Sequence, residues 1–83
     1  MNATLLTKAE IDLLGKQYAS LLMRNARASP SDMPALLQCA AWRNANEYTK
    51  KDMCRAVKEK ARGLLLGAGY ARTLIDNILR QAG

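Results

Sequence analysis

With one Val, three Ile and no Phe, this 83-residue chain offers little to a β-sheet. Sheets are built mainly from β-branched and aromatic residues, which fit a pleated, half-buried surface. Ala and Leu supply most of the apolar positions here, a composition suited to closely packed helices. Those positions also recur three and four residues apart, the period of a helix face. The expected fold is therefore all-α, a compact single domain over residues 1–83 with about four short helices.

The first helix is announced by LTKAEI. Thr7 stands as N-cap, Glu10 can reach back to the cap amide, and Leu6 can pack on Ile11. Ile11, Leu14, Tyr18, Leu21 and Leu22 then share one face. Gly15 in mid-helix costs about 1 kcal/mol against Ala, so a close neighbour is expected there. A turn at SPSDMP leads to a second helix over residues 35–45, capped by Ser31 or Asp32, with Pro34 in its first turn. That segment is apolar nearly all round, which places it centrally with Leu36, Leu37 and Ala40 inside. Trp42 reads as a second-face core residue or as an exposed contact. A third helix follows, with Thr49 as cap, Tyr48 and Met53 as staple, and Asp52 supplying the return bond. Met53, Val57, Ala61, Leu64 and Leu65 form its buried stripe. The fourth helix, residues 70–81, turns Ala71, Leu74, Ile75, Ile78 and Leu79 inward, and Gly83 closes the chain.

The net charge of +6 lies mostly in the second half: residues 1–42 carry +1 and residues 43–83 carry +5. Lys51, Arg55, Lys58 and Arg62 fall within roughly 60° of arc on the third helix, with no acid among them. Such a line can hold phosphates, dock on an acidic protein surface, or simply form a solvated face. The segment GLLLGAGYARTL joins this helix to the last. Gly69 is placed to make the turn. Gly63 and Gly67 can let another helix approach closely, within the domain or across a dimer.

From Ala61 onward, Leu64, Leu65 and Ala68 supply an inner face, Gly69 the turn, and Ile75 and Ile78 the lock for a second helix. Over about twenty residues this resembles the helix-turn-helix of phage repressor and Cro-like regulators. The resemblance implies that Arg72, Thr73, Asn77 and Arg80 face base edges and phosphates in a major groove. It departs from the pattern at Leu65, where Ala is usual, at Gly63 and Gly67, and at Asp76, an acid in the middle of the reading face.

Enzyme classes recede by subtraction. The chain has no His, no phosphate-binding glycine loop with its Lys-Ser/Thr, and no carboxylate pair at metal-site spacing. No cofactor or metal is expected. Cys39 and Cys54 fit free thiols of a reducing compartment, with a disulfide left open. The start MNATLLTKAEID lacks the basic and apolar regions of a secretory signal, and the longest nearly apolar stretch is about half a membrane span. The expectation is a non-enzymatic cytoplasmic DNA-binding regulator, acting on duplex DNA as a homodimer. The alternative is a phage- or plasmid-type inhibitor, anti-activator or adaptor. It would dock its basic face on an acidic or nucleic-acid-binding surface of a larger protein.

Overall fold

A computed structural model describes residues 6–81. It contains helices α1 (Lys8–Arg24), α2 (Pro34–Leu37), α3 (Ala40–Arg43), α4 (Glu47–Gly67) and α5 (Arg72–Gln81), with a 3-10 turn at Pro30–Asp32. No strand occurs among the described residues, so the domain is all-α. Gly83, expected to end the last helix, lies outside them. No described helix is long and apolar enough to cross a membrane.

α1 and α4 form the body of the molecule. The capping box at the start of α1 is complete: Thr7 donates its amide to Glu10 Oε1 at 2.8 Å, and the Glu10 amide donates to Thr7 Oγ1 at 3.1 Å. Two of the four amides left open at a helix start are thereby satisfied. Leu14, Tyr18 and Leu22 of α1 are buried, as are Met53, Val57, Ala61 and Leu65 of α4. Both stripes follow the expected helical spacing, with Ile11, Leu21 and Leu64 only partly covered.

Gly15 marks a tight contact between the two helices. A Cβ there would lie 2.7 Å from Lys60 Cβ and closer still to Lys60 Cγ. The Lys60 stem therefore crosses α1 in the space that glycine leaves, and its Nζ reaches Asp12 at 3.1 Å. Beyond α1 the chain folds back so that the fully buried Tyr18 hydroxyl donates to the Ala28 carbonyl at 2.7 Å. Burial raises the Tyr18 pKa from 10.0 to about 12, helped by Cys54 and Asp32 nearby.

The middle of the chain differs from expectation. Residues 35–45 do not form one helix: the backbone is extended at Cys39 (φ −67°, ψ 135°), and α2 and α3 are single turns on either side. In an unbroken helix Leu36 and Ala41 would point about 140° apart. With the break, both are buried, while Leu37 and Ala40, expected inside, are exposed. Ser31 and Asp32 do not cap α2. Ser29 caps the preceding 3-10 turn, and its amide donates to Asp32 Oδ2 at 2.9 Å. Similarly, α4 starts two residues before the expected cap at Thr49. Asn46 Oδ1 accepts from the Thr49 amide at 2.8 Å, in keeping with the stronger capping preference of Asn. Tyr48 is 83% exposed and staples nothing.

The turn after α4 is a Schellman motif. The Tyr70 amide donates to the Leu65 carbonyl at 3.2 Å, and the Gly69 amide donates to that of Leu66 at 3.1 Å. Gly69 has φ +98°, which a side chain would strain. Gly63 and Gly67 do not seat a helix within the domain as one expectation had it: among the described residues nothing lies within 4 Å of a Cβ at either. α5 begins at Arg72 and buries Ile75 fully. Ile78 and Leu79 are partly covered, whereas Ala71 and Leu74, expected inside, are exposed.

Candidate nucleic-acid interface

The cationic line of α4 does not stay together along its length. Lys51, Arg55 and Lys58 line an open groove of about 650 Å³, shared with Lys50, Trp42, Ser29, Ser31, Cys54 and Glu47. The line needs α4 to be one unbroken helix of 21 residues, since only then do positions three and four apart stack in a row. The opposite wall comes from the turn before α2 and from α3. The break at Cys39 therefore also places Trp42 beside α4. Lys50 Nζ sits 5.2 Å from the centre of the Trp42 ring, within cation–π range.

The groove is strongly positive, with four cations against the single carboxylate of Glu47. Cys54 subtracts nothing: burial raises its thiol pKa against the opposing pull of Lys58, so it stays neutral near pH 7. Ser29 and Ser31 add two hydroxyls 3.0 Å apart. Cys39 and Cys54 are both free thiols, and Cys39 donates to the Ala35 carbonyl at 3.3 Å.

Arg62, the last member of the line, is engaged elsewhere. Its Nε lies 2.9 Å from Asp76 Oδ1, tying α4 to α5. The hydrogen bond from Arg62 holds the Asp76 carboxyl below its ordinary value, and the charges of Arg62, Arg72 and Arg80 act in the same direction. Asp76 is therefore the centre of an arginine cluster rather than an isolated acid on a reading face. Arg72, Thr73, Asn77 and Arg80 are all exposed on α5. The eight expected site residues thus divide into three in the groove, one in the interhelix ion pair and four on the open face of α5.

Trp42, Lys50, Ser29 and Ser31 escaped the sequence reading as site residues. Lys50 alone left a signal there, since Lys50, Cys54 and Lys58 are spaced four apart along the edge of the stripe. The other three reach the groove through the path of residues 28–43, which no periodicity in the chain encodes.

The fold and this surface define a small all-α protein with a basic groove walled by its one tryptophan. No protein-family model, no curated protein and no solved structure matches the chain.

Proposed function

We propose that the protein is a non-enzymatic DNA-binding regulator whose α5 meets the major groove while α4 holds the backbone. The observation that carries this reading is the open face of α5. Arg72, Thr73, Asn77 and Arg80 are exposed together, and these side-chain types suit base edges and phosphates. Arg62 and Asp76 link that face to the cationic line, so Lys51 and Arg55 supply phosphate contacts beyond it. A four-residue connection containing a positive-φ glycine is compatible with a helix-turn-helix. A homodimer would double the short reading surface, and such a regulator would act in the cytoplasm.

The test is duplex retention at low salt, by gel mobility or fluorescence anisotropy. Binding should weaken steeply with salt, because each neutralised phosphate contributes about 0.9 to the log–log slope. Arg72→Ala with Arg80→Ala should relax sequence preference, and Lys51→Glu with Arg55→Glu should weaken all duplexes alike. No retention at micromolar protein sinks the proposal.

A second reading draws on one further observation. Leu74, beside Asn77 on α5, is 48% exposed, and an apolar residue bordering a cationic face suits a protein partner. In that case the protein is an inhibitor, anti-activator or adaptor that docks on an acidic surface. Loss of partner capture in Leu74→Ser, with duplex retention unchanged, would favour it.

A further inference from the structure

We infer that the Trp42 groove is a separate binding site for an unpaired nucleotide of a single strand. A polyanion without bases needs only cations, and Lys51 and Arg55 on α4 already supply those. What the groove adds is an aromatic wall. Proteins that hold single strands combine a positive track for phosphates with aromatic rings on which bases stack. Here Trp42 faces Lys50, Lys51, Arg55 and Lys58 across one depression of about 650 Å³. That volume falls within the usual range of small-molecule sites, roughly 300–1,000 Å³. Ser29 and Ser31 offer hydroxyls to the same space.

The present contact between Lys50 and Trp42 shows how the site would change on binding. The ammonium stands 5.2 Å from the ring centre, near the outer limit of about 6 Å for such a contact. Lys50 lies in the first turn of α4, on a flexible stem. A base entering the groove takes the ring face, and the ammonium turns to the adjoining phosphate, a stronger charge-assisted bond than the one it leaves. Lys51 and Arg55 hold the flanking phosphates. The neutral Cys54 thiol on the groove wall does not repel them. Double-stranded DNA cannot use the ring, because its bases are stacked on one another. The Trp42 wall is therefore what distinguishes this site from duplex reading by α5, with which it shares Lys51 and Arg55.

Trp42 is the only tryptophan in the chain, so its fluorescence reports this site directly in the unaltered protein. Titration with a ten-residue oligothymidylate should quench the emission saturably. A matched-length inorganic polyphosphate and an oligoglutamate peptide should bind more weakly and quench little. Anisotropy of the labelled oligonucleotide should show Trp42→Leu losing affinity roughly 5- to 150-fold, the usual loss of one stacked base. Trp42→Tyr should recover most of it. Unchanged emission on addition of oligothymidylate overturns the inference, as does equal quenching by polyphosphate or oligoglutamate. Quenching by oligothymidylate without duplex retention leaves this site standing and removes only the regulator reading. Duplex retention without quenching does the reverse.

Discussion

α1 and α5 both pack against α4, but they do so in different ways. α1 buries Leu14, Gly15, Tyr18, Ala19 and Leu22, whereas α5 buries only Ile75. α1 is seated by close backbone approach at Gly15 and by a buried hydroxyl at Tyr18. α5 is held by a Schellman turn, one buried Ile and an ion pair open to solvent. The α1–α4 pair is therefore the framework. α5 is an appendage whose outward face is free to meet something else, and low local burial of this kind is common in elements that bind.

The largest effects should separate these two regions. Leu22, 2% exposed, lies at the centre of the framework. Leu22→Ala should cost about 2–5 kcal/mol in chemical denaturation. Leu74→Ala on α5 should stay within about 0.5 kcal/mol. Equal losses at both positions would show that α5 belongs to the same cooperative core.

Alkaline pH should strike the framework next. The folded Tyr18 pKa of about 12 exceeds its ordinary value of 10.0, so the unfolded chain gives up this proton first. The contribution is fully present below pH 10 and is lost as pH rises towards 12. With about 1.36 kcal/mol per pKa unit, the loss is roughly 2–3 kcal/mol. Tyr18→Phe should be less stable at neutral pH, because the Ala28 carbonyl loses its donor, but its stability should vary less above pH 10. An equally steep alkaline loss in both proteins would assign the effect to another group.

Glycine substitutions give smaller effects of opposite sign. Gly15→Ala drives a Cβ into the root of the Lys60 side chain, whose Cβ cannot swing away as a side-chain tip would. The helices must separate, at a cost of about 1–3 kcal/mol that outweighs the helix-propensity gain. Gly63→Ala meets nothing within 4 Å and should stabilise α4 by about 0.5–1 kcal/mol. Thermal melts should therefore move in opposite directions for these two variants. A gain at Gly15 would mean that α1 and α4 are not tightly apposed there.

How much of this was legible in the sequence follows from the range of each interaction. The Thr7–Glu10 box, the Met53–Leu65 stripe and the Gly69 turn are local, each set by residues within a few positions. Their spacing alone revealed them. Gly15 was also legible, since a helix tolerates a glycine at some cost and a close neighbour explains it. Gly63 and Gly67 carried the same signal without the neighbour, because whether a partner arrives depends on packing and not on spacing. The break at Cys39 satisfies Leu36 and Ala41 together, a tertiary demand that no window over residues 35–45 contains. The candidate site divides in the same way. The cationic line is helical arithmetic, while the Trp42 wall and the Arg62–Asp76 pair join residues brought together only by the fold.

That ion pair supports the smallest and most discriminating test of how α5 is used. Asp76 lies among Arg62, Arg72 and Arg80. Solvent screens the exposed pair, so Asp76→Asn should leave the melting temperature nearly unchanged at neutral pH. The folded carboxyl pKa lies below its unfolded value, so its contribution is present above the unfolded pKa and fades as pH falls through the folded one. The wild-type protein should therefore lose this small increment in acid, and Asp76→Asn should not. On duplex DNA the substitution removes a charge that repels phosphates and releases Arg62. Affinity should rise, and the salt slope should steepen by about 1 if Arg62 takes a phosphate. If α5 and α4 contact the duplex together, both changes appear. If neither does, Arg62 serves only to tether α5, and the cations of the groove act without it.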